Sequence, residues 1–233
     1  MHQTSSNSRR GALLERGALA LLLIVVVLSI EVARRAVSAA LTQAGVDEIT
    51  IWSSETGDEF RDVLASAWAH LQKAHRLAPT DAWTLEQLGV AQLHSLRVSE
   101  NPADALTDAR GALADFRLAL EARPTSPYLW SNLALAKLYL GEEDPEMFNA
   151  LRHAAELGPW EPEILQNVAY VGLAVWSALD AQQRSVVMDA LKRSARLNGT
   201  DAQSLLQQYD RPDLACLIAG LPGNDAIPCK RPQ

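Results

Sequence analysis

The sequence predicts an all-helical protein in which an N-terminal transmembrane helix precedes a body of paired helices. Ala, Leu, Gln and Glu dominate after Trp52, and the Val, Ile and Thr alternation that is typical of strands is absent there. An uncharged apolar run lies near the N-terminus, and a spacing of apolar residues that ends in proline recurs along the body. Hydrophobic residues make up 48% of the chain and charged residues 21%, which suits a body with a folded core.

The apolar run, GALALLLIVVVLSI, occupies residues 17–30. As a helix it is roughly 21 Å long, shorter than a hydrocarbon core of about 30 Å. Extended to residues 11–33 it is long enough, because charged side chains near its ends can reach the interface. The favoured interpretation is an uncleaved signal anchor. A cleaved signal peptide, with Val37–Ala39 as its cleavage site, and a buried helix of a soluble protein are the alternatives.

Arginines on both sides of this segment bear on its orientation. Arg9, Arg10 and Arg16 precede the centre of the segment, whereas Arg34 and Arg35 follow it. The excess on the N-terminal side favours a cytoplasmic N-terminus. We therefore expect a single-pass protein of a bacterial inner membrane with its body in the periplasm. The predicted units are a cytoplasmic tail (1–10), the transmembrane signal anchor (11–33), a juxtamembrane helix and connector (34–57, polar from Asp47 to Gly57), a repeat domain (58–200), and a C-terminal cap and tail (201–233).

The repeated spacing describes the second helix of a packed helical pair. The pattern is a small residue, a large apolar one four positions on, a small one three further on and a proline five further on. The small side chains let a neighbouring helix approach, the large one fills the gap, and the proline ends the helix. The pattern occurs as Ala67, Leu71, Ala74, Pro79; as Ala112, Phe116, Ala119, Pro124; and as Met147, Leu151, Ala154, Pro159. First-helix positions recur as Leu85, Leu88, Gly89; as Trp130, Leu133, Ala134; and as Leu165, Val168, Ala169.

Both patterns resemble those of tetratricopeptide (TPR) repeats, so the predicted fold is a short TPR-like helical-hairpin solenoid. The turns are 45, 35 and 40 residues apart (a fourth turn has Gly199), against about 34 in this repeat, so the repeats are interrupted. The predicted helices are 58–77, 85–96, 105–122, 128–140, 146–157, 163–179 and 181–197, followed by two short capping helices at 205–209 and 212–218.

Charge and motifs argue against nucleic-acid binding and catalysis. Residues 36–233 hold 16 basic and 26 acidic residues, a net charge of −10 that would repel a phosphate backbone. The metalloprotease, phosphate-loop, serine-hydrolase and Cys-x-x-Cys motifs are absent. Glu142, Glu143 and Asp144 are expected in a solvated turn rather than at a metal. The sequence predicts no enzyme, no cofactor and no metal site.

In TPR folds a groove lined by the first helices binds extended peptides or partner helices. The positions that match this lining are Trp83, Glu86, Val90, Tyr128, Ser131, Leu135, Glu163, Gln166 and Tyr170. Either packing between repeats or a partner surface accounts for Trp83, Tyr128 and Tyr170. We expect the other candidate tryptophans, Trp130, Trp160 and Trp176, to be in the core.

The two cysteines, Cys216 and Cys229, are thirteen positions apart. In an oxidising compartment they would form a disulfide, whereas in the cytosol they would remain thiols. No other Cys or His accompanies them, which argues against zinc.

A narrower resemblance covers residues 128–217. Its motifs are YLWSNLALAK (128–137), ALRHAAELGPWEP (150–162) and YDRPDLAC (209–216). These motifs resemble the single-span TPR proteins of bacterial exopolysaccharide clusters, the VpsP-like polysaccharide biosynthesis proteins. The resemblance implies a membrane-anchored periplasmic scaffold whose partners are polysaccharide synthesis or export components. A general periplasmic TPR chaperone or assembly factor is the alternative, and a glycan-active enzyme is disfavoured because no paired carboxylates can be located by spacing.

Overall fold

The computed structural model describes residues 4–52 and 58–218. Within these ranges the backbone forms ten helices and no strand, as the composition predicts. The helices are α1 (Thr4–Trp52), α2 (Asp58–Leu77), α3 (Ala82–Ser95), α4 (Pro102–Ala122), α5 (Pro127–Leu140), α6 (Pro145–Leu157), α7 (Pro162–Ala174), α8 (Ala181–Leu197), α9 (Gly199–Gln208) and α10 (Pro212–Ile218).

Helix α1 is a single helix of 49 residues. By length and composition it can cross a membrane between Glu15 and Ile51; its most apolar stretch has a mean hydropathy of 2.3, and none of that stretch is buried in the protein. From Ser38 onward one face of α1 packs on the body. Residues 47–52, predicted as part of a polar connector, are helical instead, and Ile49 is buried with Phe60. Residues 53–57 lie outside the described ranges.

Helix boundaries follow local capping chemistry. Side chains of six N-cap residues accept a hydrogen bond from a backbone N–H of the first turn: Asp81, Asn101, Ser126, Asp144, Asp180 and Asn198. Proline occupies the first turn of five helices (α4 to α7 and α10), where its missing N–H costs nothing. The predicted helix 163–179 ends early, at Ala174, although Val175 and Leu179 are buried and continue its apolar pattern.

Successive helices pack as pairs: α1 with α2, α3 with α4, α5 with α6 and α7 with α8. The first helix of each pair also contacts the first helix of the next pair, and α7 contacts α9. All nine apolar residues of the predicted second-helix pattern are at most 3% exposed. The small first-helix residue matters too, since a Cβ added at Gly89 would lie 2.5 Å from Cε1 of Phe116.

The turns before α3, α5 and α7 follow one another along one edge of the body, starting where α1 leaves its apolar segment. Residues 31–39 of α1, the turn 78–81 and Ala122 at the end of α4 line one cavity. The last of these turns lies against the start of α5, because an added Cβ at Gly158 would lie 2.9 Å from Cβ of Pro127. We call this row of turns the proximal edge.

Candidate partner-binding surface

Three of the predicted groove residues come together from three first helices. Glu86 of α3 is 7% exposed and accepts a hydrogen bond from Nη1 of Arg123 at 2.7 Å. Burial raises the pKa of Glu86; Arg123 opposes this rise and Glu163 of α7 adds to it. Burial also raises the pKa of Tyr128 in α5, and Glu161, Glu163 and Glu86 raise it further. These residues therefore share one acidic region.

Glu161 connects this acidic region to the proximal edge. The hydroxyl of Tyr128 donates a hydrogen bond of 3.3 Å to Oε2 of Glu161, which lies in the turn between α6 and α7. Arg123 is the C-cap residue of α4, in the preceding turn of the same edge. The acidic region thus lies where the first helices begin.

A row of three tyrosines connects α5, α7 and α9. The rings of Tyr170 and Tyr209 meet edge to face with centroids 5.7 Å apart. Burial raises the pKa of both Tyr139 and Tyr209, and the neighbouring Tyr170 raises it further. Tyr139 is 42% exposed. Sequence reasoning identified Tyr170 but missed its two partners, which belong to other helices.

The remaining predicted groove residues differ in accessibility. Val90 and Leu135 are partly buried against the main core, and Gln166 is also partly buried. Ser131 is 1% exposed, and its hydroxyl has no hydrogen-bond partner within the described ranges, so it offers little surface to a partner. Trp83 is partly buried and lines the cavity beside α1.

The expectation that Trp160 belongs to the core is wrong. Trp160 is 62% exposed, because it lies in the turn between Pro159 and Pro162 and projects from the proximal edge. Glu161, its neighbour in the chain, is exposed too. An exposed tryptophan is uncommon, and aromatic side chains of this kind anchor many protein interfaces.

The other two tryptophans are only partly buried. Trp130 stacks on His153 with ring centroids 4.7 Å apart, and its Nε1 donates a hydrogen bond of 2.8 Å to the carbonyl of Pro124. Trp176 packs under two guanidinium groups, with Cζ of Arg211 4.5 Å and Cζ of Arg184 5.5 Å from its ring centroid.

The acidic turn after α5 surrounds a buried lysine. Lys137 Nζ lies 2.7 Å from Glu142, 2.8 Å from Asp144 and 2.9 Å from Glu146, and its side chain is 1% exposed. Burial alone would lower the pKa of Lys137, but the three carboxylates outweigh it and raise the pKa. Arg117 of α4 reaches the same Glu146 at 2.6 Å. We call these five residues the lysine cluster; two of the carboxylates expected to be solvated in this turn are its ligands.

In the part of the chain that the structure describes, no group of three or more His, Cys, Asp or Glu side chains is arranged to hold a metal ion. Cys216 lies in α10, whereas Cys229 lies outside the described residues, so the Cys216–Cys229 disulfide stays a prediction.

No family model matches this chain, and no curated protein is detectably similar to it. The exposed indole of Trp160 lies at the beginning of the first helices with the acidic residues around Tyr128, whereas the half-exposed Tyr139 lies near the other end of α5, roughly 16 Å away along the helix axis.

Proposed function

We propose that this chain is a membrane-anchored periplasmic scaffold with a TPR-like body. It would bind protein components of exopolysaccharide synthesis or export, without catalysing a reaction itself. The TPR-like assignment is supported by the paired helices, by the contacts between successive first helices and by the burial of every residue of the repeated second-helix pattern. The link to exopolysaccharide is supported by the resemblance of residues 128–217.

The observation that carries the binding role is the exposure of Trp160. This residue belongs to the Glu-Leu-Gly-Pro-Trp-Glu-Pro run, the most specific part of that resemblance, and exposing an indole to water is unfavourable. A partner that covers Trp160 would remove this cost. Because Trp160 lies on the proximal edge, the partner surface faces the side from which α1 leaves the membrane, and a membrane-embedded partner fits this geometry.

Crosslinking in cells tests the proposal. The tagged full-length chain is crosslinked, solubilised from membranes and analysed by mass spectrometry, alongside Trp160→Ala, Tyr139→Ala and the control Leu118→Ala. Leu118 is 50% exposed on α4, a second helix, so its removal costs similar apolar surface on a different face. We expect Trp160→Ala to lose crosslinks to glycosyltransferase, polymerase or export components, Tyr139→Ala to weaken them and Leu118→Ala to keep them.

One outcome would contradict the scaffold, and another would contradict Trp160 as its anchor. A set of many unrelated exported proteins, bound equally by all variants, would instead favour the general chaperone. An unchanged set of partners in the Trp160→Ala variant would exclude this tryptophan as an anchor. The periplasmic location has its own test: a C-terminal phosphatase that is active only outside the cytoplasm should be active when fused to the chain, and inactivity would place the body in the cytoplasm.

A further inference from the structure

A cavity of about 480 Å³ lies where α1 passes from its apolar segment to the body. Residues 31–39 of α1 form one wall, and the turn 78–81 with the start of α3 forms the other. If residues 11–33 span the bilayer, Arg34 and Arg35 lie at the level of the lipid headgroups. Such a cavity would be open to the headgroups of neighbouring lipids.

The charged side chains that line the cavity balance one another. Arg34 and Arg35 both bind Glu31, with nearest contacts of 2.7 and 2.9 Å, and the fourth charged residue is Asp81. Arg34 uses its Nη2 and Arg35 its Nε in these contacts, so their other N–H groups lack an acceptor among the described residues. Guanidinium groups of this kind suit a phosphate.

Asp81 provides the opposite charge on the facing wall. Its Oδ2 accepts hydrogen bonds from the backbone N–H and the hydroxyl of Thr84, at 2.8 and 2.7 Å, whereas its Oδ1 has no partner in the described part of the chain. Trp83, two residues on, adds an aromatic side chain to the same wall. A carboxylate beside an indole is suited to a primary ammonium group.

We propose that this cavity binds the headgroup of a zwitterionic phospholipid of the phosphoethanolamine type. Arg34 and Arg35 hold the phosphate, and Asp81 with Trp83 holds the ammonium. The balanced charge of the cavity distinguishes this ligand from an anionic lipid, whose net charge would favour a cavity with excess positive charge. This inference rests on the proposed membrane anchor.

Native mass spectrometry of the full-length chain tests the site. The chain is extracted in detergent and equilibrated with equal amounts of phosphatidylethanolamine, phosphatidylglycerol and phosphatidylcholine. We expect one retained lipid, with phosphatidylethanolamine preferred several-fold. The Arg34→Gln/Arg35→Gln variant should lose retention. Asp81→Asn should lose the preference for phosphatidylethanolamine while keeping α3 intact, because asparagine caps a helix as well as aspartate.

Arg16→Gln is the matched control, since Arg16 is an exposed arginine at the other end of the segment. Soluble phosphoethanolamine should displace the lipid, and inorganic phosphate should not. Equal retention of phosphatidylglycerol, displacement by inorganic phosphate, or an unaffected Arg34→Gln/Arg35→Gln variant would overturn the proposal. Release of the chain from membranes by alkaline carbonate would refute the anchor, whereas a carbonate-resistant chain without lipid preference would refute this site alone.

Discussion

Replacing Lys137 by Met should destabilise the body, because it removes the ammonium from the lysine cluster and leaves three carboxylates together. All three are within 2.9 Å of one nitrogen, so no two of these oxygens are more than about 6 Å apart, and each unscreened pair repels by roughly 1 kcal/mol in a water-like medium. Loss of one partner from a fully buried ion pair costs about 3–5 kcal/mol. The carboxylates here are 37–44% exposed, which reduces that cost by solvation. We expect a loss of about 2–4 kcal/mol, or roughly 5–15 °C in Tm.

The measurement is thermal and urea unfolding of the full-length chain in detergent, followed by near-ultraviolet circular dichroism. Exposed Lys73→Met on α2 is the control and should change stability little. Hydrogen bonds from Arg117 and, to a lesser extent, Lys137 lower the pKa of Glu146. Burial would raise the pKa of Asp144, but hydrogen bonds from Lys137 and from the Met147 N–H outweigh burial and lower it.

Because these folded-state pKa values lie below the unfolded ones, the cluster stabilises the protein above pH 4.5 and loses this effect as the pH falls further. The difference in unfolding free energy between the Lys137→Met variant and the unchanged protein should therefore become smaller in acid. A deficit under about 0.5 kcal/mol at pH 7.5, or one equally large at pH 3.5, would refute the electrostatic explanation.

Three further substitutions test the burial of a carboxyl and the packing between two helices. Burial raises the pKa of Asp115 to about 6, although a hydrogen bond from Gln92 Nε2 partly opposes this rise. The folded protein is therefore most stable while Asp115 is protonated, and it loses stability as the pH rises from about 4 to 6. Asp115→Asn should therefore gain about 1–2 kcal/mol at pH 7.5, allowing for partial exposure, and little at pH 4; urea titrations at both pH values would show an equal gain if the pKa argument were wrong. At the contact between α7 and α8, a Cβ added at Gly172 would lie 2.2 Å from Cγ2 of Val187, so Gly172→Ala should cost about 1–3 kcal/mol. Val187→Ala should recover part of that loss in the double variant, and strictly additive effects would exclude a direct clash.

Periodicity and turn chemistry made most helices of the body predictable. The spacing of small and large residues reflects contacts within each pair of helices, and the prolines and capping side chains act on their own turns. The predicted bounds of α2, α8 and α10 agree with the structure, and the others differ mainly where a proline or cap begins the helix earlier.

Features that depend on distant partners were not predictable. Thr42 of α1 is buried, and its hydroxyl lies 2.9 Å from that of Thr84, a residue 42 positions away. The sequence around Thr42 does not reveal this contact, so the packing of the polar C-terminal part of α1 was not predicted. The sequence does not single out Lys137, because lysine is ordinarily exposed; two of its three carboxylate partners lie in the turn that follows, and the third, Glu146, lies in the first turn of α6. The hydrophobicity of its side chain led us to expect Trp160 in the core. It is exposed because Pro159 and Pro162 place it in a turn that projects from the body.

The continuity of α1 couples the body to the proposed membrane segment. A flexible linker as long as Ser38–Trp52 would have a root-mean-square end-to-end distance of roughly 20 Å and no fixed direction. The helix instead holds these 15 residues at a fixed length of about 22 Å. Bilayers of different thickness change the tilt of the helices that span them. Because α1 is continuous from its apolar segment to Trp52 and packs on α2, the body would tilt together with this helix if the apolar segment spans the bilayer. Bilayer thickness would then set how far the distal helices stand from the membrane.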